Sequence, residues 1–348
     1  MAPLNWGLGH ASRCIPVIRA LEENGFVPLI ASDGESLRLL QREFPHLQSL
    51  ELPSYGVIYP RNGEDFKWKM LRLLPRMIDA IFAEKKIIKK WVREHRIDGI
   101  ISDNRPGVYC KKVRSVFITH QLNVLTGSTT WLTGGLHRHI ISKFAECWVP
   151  DVQVVPNLSG RLGHPAKPVP NVKYIGPLSR LKPAESTPKY DLLVLLSGPE
   201  PQRSLFEEKL RSDLVLYTGR VLMVQGIVEP GQTQQLEGNI HSYNFMTSDQ
   251  IRQAMAESRA ILCRSGYSTI MDLAKMGKKA FLVPTPGQFE QEYLARKFKR
   301  EGLLPSAKQE KFKLKMLQKL DLYPGLPRTR KAPDWPALFS LFERKGEL

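Results

Sequence analysis

Short apolar runs alternate with amphipathic stretches along most of the chain. A short apolar run bounded by turn residues is typical of a buried strand, and the stretches between have helical spacing. The predicted strands are 27–31, 97–102, 115–119, 191–196, 220–225, 260–263 and 279–283, and the predicted helices include 14–21, 247–258, 267–276 and 289–301. This alternation predicts an α/β fold with parallel, doubly wound sheets.

Local signals place the ends of several of these helices. Gly25 and Gly277 each follow a predicted helix at the position where a left-handed residue ends it. Thr247 with Gln250 predicts a capping box at a helix start. Pro16 has no backbone N–H, so we expect it in the first turn of its helix.

A proline-rich segment, 150–188, separates two halves with the same kind of pattern. Because proline-rich connectors are semi-rigid spacers, we place a domain boundary inside it. We expect an N-terminal domain over 1–176, a C-terminal domain over 177–334, and a terminal amphipathic helix over 335–348. Few residues precede the glycine-rich turn that starts at Gly7, so the first strand is either stunted or begins upstream.

The charge balance favours anionic partners. Lys and Arg number 51 against 34 Asp and Glu, a formal net charge of +17. Such a surplus favours nucleotide phosphates, acidic lipid head groups or nucleic acid. Four widely spaced cysteines predict neither a disulfide framework nor a zinc knuckle, and with no signal-peptide pattern they favour the cytoplasm. The longest stretch without Asp, Glu, Lys or Arg, 115–137, is too polar for a membrane span.

The first motif whose residues could bind a ligand or take part in catalysis is the glycine-rich turn at 7–13. It contains Gly9 and His10. Such a turn lets the backbone approach a ligand, and a helix that starts there presents N–H groups to anions. His10 lies at the carboxyl edge of the short strand expected before the turn, where its imidazole can act as a general base. Asp103 ends another strand and is a candidate to orient His10 or bind an acceptor hydroxyl. An incidental histidine, and a simple turn at Asp103 and Asn104, are the alternatives.

A second motif, 263–272, joins a predicted strand to a helix. Ser265 and Gly266 can offer backbone N–H groups and a hydroxyl to a phosphate, and Arg264 adds a positive charge. Asp272 follows on the helix and can accept hydrogen bonds from both ribose hydroxyls. A capped helix with a solvated Asp is the alternative.

A third motif, 284–293, is a Pro/Gly loop followed by a helix that opens with amides and carboxylates. Such side chains suit sugar hydroxyls, which both donate and accept hydrogen bonds. The alternative is a favourable placement of acids at a helix N-terminus.

Together these motifs resemble the GT-B glycosyltransferases of family 28. The C-R-S-G-x-x-T stretch at 263–269 is the most specific part of the likeness, followed by 284–293, and the turn at 7–10 is similar to the family's N-terminal glycine-rich loop. The resemblance implies two doubly wound, Rossmann-like domains facing across a cleft. It also implies a nucleotide sugar bound mostly to the C-terminal domain.

The resemblance assigns roles to individual residues. His10 matches the family's proposed catalytic histidine, Asp272 a glutamate that holds the ribose, and Gln291 an amide that contacts the donor sugar. Glu292 replaces a second glutamine, and Gly198 lies where the family has a glycine-rich diphosphate loop. The predicted catalytic residues are therefore His10 and Asp103, and the predicted donor-binding residues are Gly9, Gly198, Arg264, Ser265, Gly266, Thr269, Asp272, Gln291 and Glu292.

No two Asp residues are separated by a single residue, so the sequence has no D-x-D metal clamp. A departing nucleoside diphosphate would then be stabilised by Arg264 and helix N-termini. We therefore expect no metal and no cofactor beyond the donor substrate, for which a UDP-linked sugar is the prediction. The resemblance implies a lipid-linked acceptor.

A basic segment, 67–96, carries ten Lys and Arg against three acids, next to an apolar helical stripe. Basic residues beside Trp and Phe suit an anionic bilayer, which predicts a peripheral protein at the inner face of the plasma membrane. Pro75 is expected to split the segment into two helices, and two ordinary packed helices are the alternative interpretation.

Three functions are compatible with these observations. The first is a glycosyltransferase in which His10 takes a proton from an acceptor hydroxyl. The second is a nucleotide-sugar hydrolase of the same fold, which would release free sugar without an acceptor. The third is a non-catalytic protein that binds membranes or nucleic acid. The sequence has no RNA-binding aromatic motif or zinc finger, so we do not expect nucleic acid as a partner.

Overall fold

The computed structural model describes residues 1–56, 66–123, 130–198, 200–329 and 332–343. These residues form two α/β units, each built on a largely parallel sheet. Two parts of the sequence predictions lie outside the described residues: 344–348 of the terminal helix, and Pro199 in the segment that matches the diphosphate loop.

The first unit contains the strands β1 (Ala2–Pro3), β2 (Ile30–Ser32), β3 (Ser49–Glu51), β4 (Gly99–Asp103), β5 (Arg114–Ile118), β6 (Glu146–Val149) and β7 (Val172–Tyr174). Its parallel sheet has the order β1-β4-β5-β6-β7, and β2 pairs separately with β3. The N–H of Ala31 donates to the carbonyl of Met1 at 2.9 Å, which places β2 beside β1. The short β1 therefore lies where the strand order reverses, and open α/β sheets bind ligands at such a point.

The second unit contains the strands β8 (Tyr190–Leu195), β9 (Val221–Val224), β10 (Gln234–Glu237), β11 (Ile240–Tyr243), β12 (Ser258–Cys263) and β13 (Phe281–Leu282). Their order is β10-β11-β9-β8-β12-β13, and only the β10–β11 pair in this sheet is antiparallel among the described residues. The four strands predicted in this half correspond to β8, β9, β12 and β13, which confirms the doubly wound pattern.

The helices are α1 (Leu8–Glu23), α2 (Gly34–Glu43), α3 (Phe66–Glu94), α4 (Thr130–Ile141), α5 (Gln202–Leu214), α6 (Ser248–Ala256), α7 (Tyr267–Met276), α8 (Phe289–Arg300) and α9 (Trp335–Phe339). The predicted helix signals are confirmed at α6 and α7. The N–H of Thr247 donates to the side chain of Gln250 at 2.9 Å, and Gly277 ends α7 with a φ of 65°.

Two predictions about prolines are wrong. Helix α1 begins at Leu8, so Pro16 lies in its middle rather than in its first turn. Helix α3 runs through Pro75 as one element. A proline inside a helix removes one hydrogen bond. In α1, burial of the helix against its neighbours offsets that cost, whereas Leu74, Pro75 and Arg76 of α3 are exposed. In α1, Cys14, Ile15 and Val17 are all fully buried around the proline.

The end of the described chain packs on the first unit. Phe339 and Phe342 lie against Phe26 and Trp148, with ring centroids 5.6–6.5 Å apart. A Cβ at Gly99 would lie 2.3 Å from the Phe342 ring, so this contact requires glycine. Helix α9 ends at Phe339 and is shorter than the predicted helix. The domain boundaries at 176 and 334 stay predictions.

Candidate active site

His10 and Asp103 come together between the two units. His10 lies in the first turn of α1, and Asp103 is the last residue of β4, at the carboxyl edge of the sheet. The His10 Nδ1 atom is 2.6 Å from Asp103 Oδ1. Asp103 is fully buried, whereas the His10 side chain keeps 15% of its surface exposed. The two predicted catalytic residues therefore form a hydrogen-bonded pair, 93 positions apart in sequence.

Arg13, one turn after His10, holds the carboxylate of this pair. Its Nε donates to Asp103 Oδ2 and its Nη2 to Oδ1, both at 2.5 Å. Burial by itself would raise the pKa of Asp103, but the charges of Arg13 and His10 outweigh it and hold that pKa at about 2. Asp103 is therefore an anion at neutral pH.

The environment of His10 keeps its imidazole neutral at pH 7. Burial lowers its pKa below the ordinary value, the Arg13 charge lowers it further, and Asp103 opposes both. Because the carboxylate can only accept, the shared proton is assigned to His10 Nδ1, which donates to Asp103. This tautomer leaves the Nε2 lone pair available to take a proton.

Three further residues of the cluster were not predicted. His120 and Gln121 follow β5, the neighbour of β4, and Glu290 lies in the first turn of α8. Glu290 accepts a hydrogen bond from His120 Nε2 at 2.9 Å and another from Gln121 Nε2. The sequence could have indicated His120 and Gln121, because they follow a predicted strand and the carboxyl ends of neighbouring parallel strands meet at one edge of the sheet.

Helix α7 also contacts the first unit at this point. The Ser268 hydroxyl donates to the Gly9 carbonyl at 2.6 Å, and the Tyr267 hydroxyl donates to the Pro150 carbonyl at 3.0 Å. The Tyr267 ring stacks on His120 with centroids 4.1 Å apart. The second and third sequence motifs are therefore both in contact with the His10 cluster.

Arg264 is buried in the second unit, where backbone carbonyls hold its side chain. It is 1% exposed, and its guanidinium donates to the carbonyls of Val283, Pro284 and Gln202 at 2.9–3.3 Å. The group also lies 4.2 Å from the centre of the Phe206 ring. Burial lowers its pKa to about 9. Arg264 thus ties the loop after β13 to the start of α5, while its buried Nε has no partner among the described residues. Its contact with a diphosphate stays a prediction.

The side chains of Ser265 and Gln291 lock the same loop. Ser265 Oγ donates to the Gln291 carbonyl at 2.8 Å, and Gln291 Oε1 accepts from the Thr285 N–H at 2.9 Å. Both residues are buried. Glu292 acts similarly, because its Oε1 accepts from the Gly287 N–H at 3.2 Å. These three predicted donor-binding side chains shape the loop at 284–287.

The remaining predicted donor contacts lie around this loop. Gly266 precedes α7 and has open space on its Cβ side, Thr269 is half-buried in the first turn, and Gly198 has a φ of 104°. A Cβ at Gly198 would lie 3.7 Å from Thr285 Oγ1. That buried hydroxyl has no partner in the described protein. It marks a polar atom whose partner is expected to be a ligand.

Asp272 is paired within the protein. Its Oδ1 accepts from the Ser179 hydroxyl at 2.6 Å, and its Oδ2 lies 3.8 Å from Arg180 Nε. Burial raises its pKa, and the Arg180 charge and the Ser179 hydrogen bond oppose that shift. The predicted ribose acceptor therefore contacts the segment that connects the two units.

Among the described residues, no group of three His, Cys, Asp or Glu side chains is arranged to hold a metal ion. In the same residues, none of the helices has the length and apolarity required to span a bilayer.

Comparisons with known proteins fit this geometry. Residues 200–322 match the glycosyltransferase family 28 C-terminal domain. A UDP-N-acetylglucosamine–N-acetylmuramyl-(pentapeptide) pyrophosphoryl-undecaprenol N-acetylglucosamine transferase of Pasteurella multocida is 24% identical over 298 residues, which are 83% of this chain and 78% of that protein. MurG of Acinetobacter baumannii has a TM-score of 0.56 at 14% identity over 98% of this chain and 97% of its own. The glycotransferase of kitacinnamycin has a TM-score of 0.60 at 12% identity over 98% and 91%.

Two parallel, doubly wound sheets and a polar cluster between them define a GT-B protein with two Rossmann-like domains. Residues 200–322 match a glycosyltransferase family 28 C-terminal domain, and over most of its length the chain is similar to glycosyltransferases. It is therefore an enzyme of sugar transfer, which decides against the non-catalytic alternative.

Proposed function

We propose that the enzyme transfers a sugar from a UDP-linked donor to a hydroxyl acceptor, with His10 as the general base and without a metal ion. The observation that carries this proposal is the His10–Asp103 pair at 2.6 Å, in contact with the donor-binding domain through Ser268 and Glu290. A neutral imidazole with a free Nε2 is the form that a general base needs.

The proposed step is a direct displacement. The acceptor oxygen attacks the anomeric carbon of the donor sugar while its proton passes to His10 Nε2. The bond between that carbon and the phosphate oxygen breaks, and the nucleoside diphosphate leaves with the electron pair. Asp103 stabilises the imidazolium that forms, because its carboxylate is charged at neutral pH and 2.6 Å away.

We infer that the donor diphosphate binds between the Gly198 turn and the start of α7. The Gly266 end of the helix supplies backbone N–H groups, and the Thr285 hydroxyl supplies a further donor beside Gly198. Arg264 contributes through its hold on the 283–285 backbone. The absence of a D-x-D sequence supports charge stabilisation by protein groups.

The acceptor is proposed to be lipid-linked, as the name of the Pasteurella relative states for that protein. Helix α3 supports this with three exposed apolar residues at four-residue spacing, Leu74, Ile78 and Phe82. Exposed lysines, Lys86 and Lys90, continue the same ridge. An apolar ridge that passes into basic residues suits the anionic inner face of the plasma membrane.

Thermal unfolding with a panel of nucleotides tests the donor. A ligand that binds only the folded state at 100 times its Kd stabilises by about 2.7 kcal/mol. UDP and UDP-sugars should raise the unfolding temperature more than GDP-linked or dTDP-linked sugars, with and without EDTA. A larger shift with another base, or loss of the shift in EDTA, would overturn the UDP or metal-free part of the proposal.

Product analysis separates transfer from hydrolysis. UDP release from UDP-N-acetylglucosamine should depend on added lipid-linked muramoyl-pentapeptide. Stoichiometric free sugar at the same rate without that acceptor would favour the hydrolase instead.

Binding to vesicles tests the membrane part. The enzyme should sediment with phosphatidylglycerol vesicles and not with phosphatidylcholine vesicles. Phe82→Ser should weaken this binding, whereas the control Val215→Ser changes an exposed apolar residue of the other domain. Equal binding of the two variants would argue against α3 as the contact.

A further inference from the structure

A continuous chain of polar contacts runs from the donor-binding domain to the candidate base. It starts at Glu290, in the first turn of α8, and crosses to His120 in the other domain at 2.9 Å. His120 Nδ1 is 3.0 Å from Arg13 Nη1, and Arg13 binds Asp103. Asp103 in turn holds His10. A residue of the donor helix is thus linked to the base through three buried side chains.

The contacts assign one tautomer to His120. A guanidinium can only donate, so the Nδ1 atom that faces Arg13 is the acceptor. The ring proton is therefore on Nε2, which donates to Glu290. The ring is 3% exposed and stacks on Tyr267 with an interplanar angle of 7°. His120 is held on both nitrogens and on one face.

Arg13 is the branch point of the chain. Besides its two bonds to Asp103, its Nη2 lies 2.9 Å from His10 Nδ1. Asp103 Oδ1 is nearer to that nitrogen, at 2.6 Å, and it is also the nearer acceptor for Nη2, at 2.5 Å. A further move of the guanidinium toward His10 would strengthen its competition with Asp103 and favour the wrong tautomer of the base. The bond from Arg13 Nη1 to His120 opposes that move.

We propose that Glu290 is a positioning residue for the base: it fixes His120, His120 fixes Arg13, and Arg13 leaves His10 with a free Nε2. This inference rests on the proposed role of His10. Gln291 and Glu292, which shape the donor loop, follow Glu290 on the same turn of α8. Docking of the donor-binding helix against the first domain therefore completes the base.

The alternative is an interdomain contact that contributes only to stability. Both interpretations predict a lower unfolding temperature when Glu290 is truncated. They differ in the tautomer of His120 and in the protonation of His10, which a purely stabilising contact would not control. The test therefore needs a readout of the two imidazoles.

Such a test can be interpreted because, among the described residues, few charged or titratable side chains lie close to the two imidazoles. They are Arg13 on α1, Asp103 on β4, His137 on α4, Tyr267 on α7 and Glu290 on α8. Glu290 and His10 also interact by charge, and the interaction favours the charged form of both. Removing the charge of Glu290 should therefore lower the pKa of His10.

The experiment is 15N-histidine NMR of the full chain from pH 5 to 8, with His10→Ala and His120→Asn to assign the signals. Wild type should show His120 protonated on Nε2. Glu290→Gln keeps an acceptor and should keep that tautomer while lowering the pKa of His10. Glu290→Ala should give a mixture of His120 tautomers. Glu310→Gln, an exposed acid of the same domain, is the control and should change neither signal.

Turnover gives the second readout. In Glu290→Ala, kcat for UDP release should fall by about 10²-fold, the cost of a misplaced group, with a smaller change in donor KM. Glu290→Gln should stay within about threefold of wild-type kcat and shift the acidic limb of its pH profile downward. Unchanged histidine signals in both Glu290 variants would overturn the inference. The NMR measurement needs no substrate, so it tests the role of Glu290 separately from the proposed sugar transfer. Failure of that transfer would appear as missing turnover in the wild-type enzyme.

Discussion

The two domains use their buried arginines in different ways. In the N-terminal domain, Arg13 binds the side chains of Asp103 and His120, and the cluster ends at an imidazole with a free nitrogen. In the C-terminal domain, Arg264 binds backbone carbonyls of three residues and the face of Phe206. A buried charge needs partners in both cases. Carboxylate and imidazole partners tune one another's protonation, whereas carbonyl partners fix a loop.

The difference shows that a buried arginine can contribute in one of two ways. It can set the charge of ionisable side chains, or it can hold a loop in shape. Arg13 acts on the charges beside the proposed base, His10. Arg264 acts on the shape of the loop that starts at Val283 and Pro284, where the Thr285 hydroxyl has no partner among the described residues. Perturbing the first should change chemistry, and perturbing the second should first change stability.

The largest expected effect is on the N-terminal side. His10→Ala should lower kcat by about 10²–10⁴-fold, the usual contribution of general base catalysis, while UDP-sugar binding is retained. Steady-state kinetics and thermal shift with UDP measure the two quantities. His46→Ala, which changes an exposed histidine paired with Glu22, serves as the control. Wild-type kcat in His10→Ala would remove His10 from the mechanism.

On the C-terminal side, Arg264→Met should reduce the free energy of unfolding by about 3 kcal/mol, because carbonyls that bound a charged donor lose it inside the protein. Urea denaturation without ligand measures this. If Arg264 contacted only the diphosphate, the ligand-free protein would be as stable as wild type. That result would contradict the structural role and restore the sequence-based prediction.

Acid should weaken the N-terminal cluster in a defined direction. Asp103 has a pKa of about 2 when folded and an ordinary value of 3.8, so the unfolded chain binds its proton first. The resulting stabilisation, about 2 kcal/mol, is present above pH 4 and is lost as the pH falls toward 2. His10, whose pKa is lowered by burial, adds a loss that begins near pH 6.5.

Urea denaturation of wild type and Asp103→Asn at pH 7, 4 and 3 measures this dependence. The variant should lose part of the acid sensitivity. Asp249→Asn, which changes an exposed acid on α6, should keep all of it. Parallel pH curves for wild type and Asp103→Asn would show that the buried carboxylate does not set the acid response.

The smallest expected effect concerns the Thr285 hydroxyl, which has no partner among the described residues. Thr285→Val keeps the shape of the side chain and removes its donor, so the KM for the donor should rise about tenfold, the value of one hydrogen bond to a charged group. The unfolding temperature without ligand should not fall. Thr285→Ser keeps a hydroxyl and should stay near wild type. Equal KM values in Thr285→Val and wild type would place the diphosphate elsewhere.

Much of the fold was predictable because it depends on local patterns. The apolar runs that became β8, β9 and β12 have turn residues on both sides, and Gly277 ends α7 as a left-handed residue must. The position of Pro16 was misjudged for a tertiary reason. Burial of the residues around Pro16 outweighs one missing hydrogen bond, and propensity alone contains no information about that burial.

The candidate site was predictable only in part. His10 and Asp103 each follow or end a strand at the sheet edge, which the doubly wound pattern already placed together. Glu290 and His120 lie 170 positions apart, in different domains, and no local pattern pairs them. Arg264 shows the converse, since its motif indicated a phosphate contact while its side-chain direction depends on α5 and Phe206.

By itself the sequence determined the class of the fold, the chemical types at the strand ends and the resemblance to a family, because these follow from periodicity and short motifs. The tertiary structure alone decided which charges meet, since the free energy of a buried ion depends on the partners that packing brings within about 3 Å. In this protein, packing placed Arg13 against the Asp103 carboxylate and the His120 ring, and Arg264 against backbone carbonyls.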